Sequence, residues 1–197
     1  MVHFIVPVKG FGRGKSRLRV PVSVRADLVE AMLLDTLSAI EAAQLGPAVV
    51  VSPDASLRRI AASRGAAVLD HPGGLNEAIR AAVDPGVNAA ILPDLPALRP
   101  SQLQKALAGH ETGLVPDWSG TGTTMLVGEN LNPSFGPQSA SRHAQMGYPL
   151  LDVPLCGLRA DVDTHADLIR AAGLGLGEHT RAVMQRLGAG PAVRIGP

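Results

Sequence analysis

Five short segments of this chain combine residue types that can bind or transfer phosphorylated groups. The first is Lys9-Gly10-Phe11-Gly12-Arg13-Gly14-Lys15-Ser16-Arg17, directly after an apolar run. It fails the P-loop spacing, which needs glycine where Lys9 stands, and the dinucleotide fingerprint, which needs glycine at Lys15. What remains is a loop with four cations and three glycines. Glycines such as Gly10 and Gly14 let backbone N–H groups approach phosphate oxygens, with Lys9 beside them. Lys15 and Arg17 can neutralise a triphosphate. A solvated basic turn is the plainer alternative.

Leu92-Pro93-Asp94-Leu95-Pro96 places a carboxylate between two prolines that stiffen the backbone. Such a carboxylate suits Mg²⁺, which takes oxygen ligands and shares them with substrate phosphates. In Asp161-Val162-Asp163-Thr164, extended backbone would put Asp161 and Asp163 on one side, where they could complete a metal site begun by Asp94. Asp163 is the favoured ligand; the alternative is that it caps the next helix. Gly120-Thr121-Gly122-Thr123-Thr124, with Phe135-Gly136-Pro137-Gln138-Ser139 and Arg142-His143, has the small hydroxylated composition of an anion cradle. Ser139 is placed to open a helix, where the dipole favours a phosphate or carboxylate. Gly73-Gly74-Leu75-Asn76 could let a flat base lie on the backbone, with the Asn76 amide reaching base or ribose. His143 and Cys156 read as packing residues, Cys156 as a small buried one.

The elements that must position these segments follow from hydrophobic spacing. Apolar runs at 4–8, 48–51, 67–69 and 88–92 read as strands. They alternate with helical patterns at 24–43, after Asp54 as cap, at 75–82, and from a Ser101 cap through 108. Alternating strand and helix implies βαβ units: a doubly wound, mostly parallel sheet in three α/β/α layers. Ligands of such sheets bind beyond the carboxyl ends of the strands, here after Val8, Val51, Leu69 and Leu92. The second half is less regular. Strands at 114–116 and 123–127 flank a Gly-rich turn, and helices at 139–146 and 164–172 follow. A single domain over 1–187 is expected, with a loose Gly/Pro-rich tail at 188–197.

Bulk properties narrow the function class. The chain has 197 residues, 46% apolar and 3% aromatic, so the core is built from Val, Leu, Ile and Ala. A formal charge of +1 argues against nucleic-acid binding, which needs a basic face. One cysteine excludes a disulfide framework or a Cys-based zinc site. The N-terminal apolar run is too short for a signal peptide, and no stretch reaches the ~20 apolar residues of a membrane span. A cytoplasmic protein is expected, without nucleic-acid or membrane partners.

Taken in order, these segments resemble the CofC/FbiD-type guanylyltransferases of coenzyme F420 biosynthesis, over roughly residues 6–168. The carrying motifs are Lys15-Ser16-Arg17-Leu18, Gly74-Leu75-Asn76, Leu92-Pro93-Asp94-Leu95-Pro96, Gly120-Thr121-Gly122-Thr123, Phe135-Gly136 with Ser139 and His143, and Asp161-Val162-Asp163-Thr164. His165 departs from the proline that often follows Asp-Thr in the family. The resemblance implies a nucleotidyltransferase (nucleotide-diphospho-sugar transferase-like) Rossmann variant that uses GTP and a divalent metal such as Mg²⁺. The acceptor would be phosphoenolpyruvate, 2-phospho-L-lactate or 3-phospho-D-glycerate, with phosphoenolpyruvate favoured. It implies catalytic roles for Lys15, Arg17 and Asp94, metal binding by Asp94 and Asp163, acceptor binding by Thr123, Gly136 and Ser139, and nucleotide binding by Lys9, Gly10, Gly14, Gly74 and Asn76. A homodimer and a coupling to the downstream transferase of the pathway are compatible with it. Left open are a related nucleotidyltransferase acting on a sugar phosphate or molybdenum cofactor, and a non-catalytic nucleotide-binding regulatory domain.

Overall fold

The computed structural model describes residues 1–9, 18, 20–151, 154 and 156–189. Six strands form one sheet: β1 (His3–Pro7), β2 (Ala48–Val51), β3 (Ala67–Leu69), β4 (Asn88–Ile91), β5 (Gly113–Pro116) and β6 (Thr123–Gly128). Their spatial order is β3-β2-β1-β4-β6-β5. β1 pairs in parallel with β2 and β4, and β2 with β3. β6 alone runs the other way, antiparallel to both β4 and β5. A short turn at 117–122 joins β5 to β6, and so short a connection permits only antiparallel pairing.

Among the described residues seven helices accompany the strands: α1 (Val22–Ala43), α2 (Ala55–Ser63), α3 (Leu75–Ala81), α4 (Pro100–Leu107), α5 (Ser139–Gln145), α6 (His165–Leu174) and α7 (Glu178–Ala189). Alternation along β1 shows the layering. Phe4 and Val6 join a core with Leu33, Leu37 and Ile40 of α1, Leu57 of α2 and Leu103 of α4. Ile5 faces the opposite core, with Ala78 and Ile79 of α3 and Ala140 of α5. Leu28 and Met32 of α1 also pack against Leu168 of α6 and Val183 of α7. The three-layer, mostly parallel architecture is the expected one. Its winding reverses between β1 and β4, which opens a crevice at their carboxyl ends.

Several boundaries differ from the sequence reading. Asp54 does cap α2, its carboxylate accepting from Ser56 and Leu57 N–H. Ser101 does not cap α4: the cap is Arg99, because Pro100 takes the first helical position and pushes Ser101 inside the first turn. α7 was not anticipated, and it carries Gly188 and Ala189 into what reads as loose tail; 190–197 lie outside the described residues. α7 is held by Asp35 of α1, whose carboxylate accepts from His179 and Thr180 N–H. A cap 144 residues away along the chain leaves no local signal. Cys156 is exposed rather than buried, since its neighbours Gly157 and Leu158 take the inward side. No helix among the described residues is long and apolar enough to cross a membrane.

The loop after β4 is half-buried at 92–94 and buried over 95–98. Leu95 and Ala97 are fully enclosed, and buried backbone groups must find partners. Thr36 Oγ1 of α1 donates to Pro93 O at 3.1 Å, Val162 N–H to Asp94 O at 3.1 Å, Leu98 N–H to Leu95 O at 3.0 Å and Gly177 N–H to Pro96 O at 2.7 Å. Four consecutive carbonyls are thus satisfied from four different places. Thr36→Val keeps the volume but strands the Pro93 carbonyl. It should lower unfolding free energy by about 1–3 kcal/mol, read by chemical denaturation.

Candidate functional site

A cleft of about 710 Å³ opens at the reversal of the sheet. Pro7, Val8 and Lys9 at the end of β1 form its floor with Leu92, Pro93 and Asp94 after β4. Two walls rise from it. One carries Asp94, Asp161 and Asp163; the other carries Thr121, Gly122, Thr123, Phe135, Gly136 and Ser139.

The acidic wall is assembled by backbone. The bond from Val162 N–H to Asp94 O sets the segment 161–163 beside the loop after β4. Val162 is fully buried, so Asp161 and Asp163 turn to the other side, as alternation requires. Gly157 brings the segment in: a Cβ there would stand 2.1 Å from Ala97 O, so only glycine allows the approach. Asp163 does not cap α6. Thr164 does, its hydroxyl accepting from Asp167 N–H while Asp167 accepts from Thr164 N–H. Burial works against ionisation of Asp167, but bonds from Thr164, Arg170 and Asp163 N–H outweigh it and hold its pKa below the ordinary value. His165 takes the first helical position, where proline would also fit.

The opposite wall rests on a bulge. Pro116 pairs with Thr123, but Val115 pairs with Met125, which leaves Thr124 as the extra residue. Bulges re-aim side chains, and here Thr123 meets the cleft while Thr124 Oγ1 donates to Val115 O. Ser139 opens α5 as expected. Its N–H donates to Gly136 O, and Ala140 N–H donates to Thr121 O, tying the helix to the hairpin. Gly136 has φ +129°, a conformation that side chains resist.

The segment between β6 and α5 is clamped by side chains. Arg80 donates to Pro133 O, and Arg142 to Ser134 O, Ser134 Oγ and Pro137 O. Asn76 accepts from Phe135 N–H at 2.8 Å and donates to Phe135 O at 3.2 Å. Its amide is therefore engaged with this loop, and neither Asn76 nor Gly74 lines the cleft; only Leu75 between them does. Gly10, Gly14, Lys15 and Arg17 lie outside the described residues, whereas Lys9 reaches the cleft. The cleft thus gathers Lys9, Asp94, Asp163, Thr123, Gly136 and Ser139.

The sequence reading took His143 for a packing residue with no role of its own in the site. It is fully buried on α5, one turn beyond Ser139 and on the same face. Its Nδ1 lies 2.9 Å from Thr123 Oγ1, and its Nε2 accepts from Ser134 N–H at 2.9 Å. Phe135 and Tyr148 stand edge-on around it. The four-residue spacing from Ser139 was the available signal. Burial, with repulsion from the Arg142 guanidinium, pushes the imidazole down to about 4. The unfolded chain therefore takes up this proton first as pH falls. Stability from this residue is complete above about pH 6.5 and declines toward pH 4, by at most about 3 kcal/mol. Denaturation midpoints should fall across that window, and His143→Gln should flatten the slope.

Comparison with known proteins agrees with this architecture. The chain matches the family model described as "Guanylyl transferase CofC like" over residues 2–193. It is 42% identical over 209 residues to a phosphoenolpyruvate guanylyltransferase of Nocardia farcinica, covering 95% of this chain and 92% of that one. It is 39% identical to the protein of the same name from Rhodococcus erythropolis, covering 97% and 99%. A solved protein of Desulfovibrio desulfuricans G20, described as a nucleotide-diphospho-sugar transferase, shares the fold with TM-score 0.69 and 17% identity, covering 95% of each chain. A nucleotidyl transferase of a Methanothermobacter species is similar at TM-score 0.61 and 13% identity, covering 94% of this chain and 99% of that one. With the family model matched over residues 2–193, the chain belongs to the CofC-like guanylyl transferase family.

Proposed function

We propose that this protein transfers GMP from GTP to phosphoenolpyruvate and releases pyrophosphate, in the biosynthesis of coenzyme F420. The observation that carries the reading is the pairing of two walls in one cleft, one acidic and one made of hydroxyls and glycine backbone. The name shared by the relatives from Nocardia and Rhodococcus supports the acceptor. Residues 1–187 would act as one nucleotidyltransferase domain in the cytoplasm, as a homodimer coupled to the downstream transferase.

The oxygen chemistry of the cleft suits a divalent cation. Both substrates are polyanions, yet Asp94, Asp117, Asp161 and Asp163 line the cleft, and Lys9 is its cation among the described residues. Among the described residues no three His, Cys, Asp or Glu side chains form a metal cage. Mg²⁺ needs none: one or two carboxylates, water and substrate phosphates suffice. The oxygen donors of Asp94 and Asp163 fit that ion. Bound there, Mg²⁺ would neutralise charge on the reacting phosphates.

The chain's own residues do the rest by positioning and charge. A phosphate oxygen of the acceptor bonds to the α-phosphorus of GTP, and the bond to pyrophosphate breaks in line. The nucleophile is already anionic, so no strong general base is needed. Catalysis then rests on orientation and stabilisation of developing charge. Thr123, Gly136 and Ser139 orient the acceptor, Lys9, Gly10 and Gly14 hold phosphates, and Lys15 and Arg17 stabilise the departing pyrophosphate. Gly74 and Asn76 serve the guanosine indirectly, through Leu75 between them at the cleft and through the loop that the Asn76 amide holds.

Two measurements test these roles. Asp94→Asn should cut turnover in Mg²⁺ by about 10²-fold or more with the circular dichroism unchanged; near-wild-type turnover would remove the metal role. Ser139→Ala should raise the phosphoenolpyruvate KM about tenfold and spare the GTP KM; the reverse pattern contradicts the acceptor assignment. Pyrophosphate release from GTP, Mg²⁺ and each of the three acids, with the downstream enzyme present to capture product, identifies the acceptor. Release only with a sugar phosphate would favour the other nucleotidyltransferase reading.

A further inference from the structure

His143 is buried and does not line the cleft, yet both of its nitrogens are engaged. Nε2 accepts the Ser134 backbone N–H at 2.9 Å. A backbone N–H can only donate, so Nε2 carries no proton. A neutral imidazole then holds its proton on Nδ1, 2.9 Å from Thr123 Oγ1. That contact makes the Thr123 oxygen the acceptor, and the hydroxyl proton must point elsewhere. Thr123 borders the cleft, so its free direction is toward whatever occupies it. Were the tautomer reversed, Nε2–H would collide with Ser134 N–H, and Thr123 would spend its proton on Nδ1.

We propose that His143 is a positioning residue that directs the Thr123 hydroxyl proton into the cleft, making Thr123 an obligatory donor to the anionic acceptor. The inference rests on the acceptor reading above for the identity of the anion. The tautomer itself rests only on Ser134 and Thr123. Phe135 and Tyr148, edge-on to the ring, exclude water that would let the imidazole exchange tautomers. Low dielectric around the pair strengthens the direction so imposed.

The tautomer is measured on the full-length protein with ¹⁵N-labelled histidine. One histidine should show the neutral Nδ1–H pattern at neutral pH, and His143→Gln should abolish that signal. A neutral Nε2–H pattern or an imidazolium at this residue overturns the proposal. Kinetics reads the consequence. His143→Gln offers an oxygen to Ser134 N–H but no donor to Thr123. It should raise the phosphoenolpyruvate KM about tenfold and leave the GTP KM within about twofold. Thr123→Val should match it, the double variant should be no worse than Thr123→Val, and Thr123→Ser should stay near wild type. Additive losses in the double variant, or both KM values rising together, overturn it. If His143→Gln fails to fold, the Val and Ser variants of Thr123 carry the test, and equal KM values for the two overturn it. Wild-type protein inactive on phosphoenolpyruvate would instead defeat the acceptor reading, while the tautomer measurement still decides the role of His143.

Discussion

The architecture turns on the need to satisfy the backbone of a buried loop. Residues 93–96 leave the sheet at its reversal and turn from the cleft into the interior, and each of their carbonyls meets a donor. The donors come from α1, from the segment before α6, from the loop itself and from the residue before α7. That requirement draws together four parts of the chain that share no sequence proximity. The acidic wall follows from it, because the donor for Asp94 O is Val162, flanked on both sides by aspartate.

The second wall obeys a different logic. The bulge at Thr124 turns Thr123 to the cleft, and the loop before α5 is fixed by Arg80, Asn76, Arg142 and His143. Only the far ends of these side chains touch the loop, while their own backbones belong to α3 and α5. The cleft is thus a junction between a wall set by a main-chain bond and a wall in which side-chain bonds to the loop add to the main-chain ones. The CofC-like family membership gives this junction its chemical context: guanylyl transfer brings two phosphorylated molecules to one place.

Much of this was legible in the residues. The strands 48–51 and 67–69 were marked by unbroken β-branched and apolar runs, and Asp54 announced α2. Asp94 stood out between its two prolines and the pair at 161 and 163 through its alternation, and all three border the cleft. What escaped was non-local. α7 depends on a cap from Asp35, which no window of sequence reveals. Asn76 looked like a ligand for a base because its amide chemistry is the same whether it meets a nucleotide or the backbone of Phe135. His143 looked inert because its partners, Thr123 and Ser134, lie 20 and 9 residues away. Gly157 carried no motif, yet its missing side chain lets the acidic segment reach Ala97.

The clamped loop before α5 has a thermodynamic corollary. Most of its rotational freedom is already surrendered during folding, since both the N–H and the C=O of Phe135 are tied to one amide. If the acceptor docks there as proposed, it would meet groups whose spacing is set in advance, and little ordering entropy would be lost at the moment of association. Rigidity of this sort works in both directions: a molecule that matches the spacing gains nearly the full interaction, and one that is slightly too long or too bent cannot be accommodated by give in the protein. Discrimination at such a surface is a matter of shape rather than of closure.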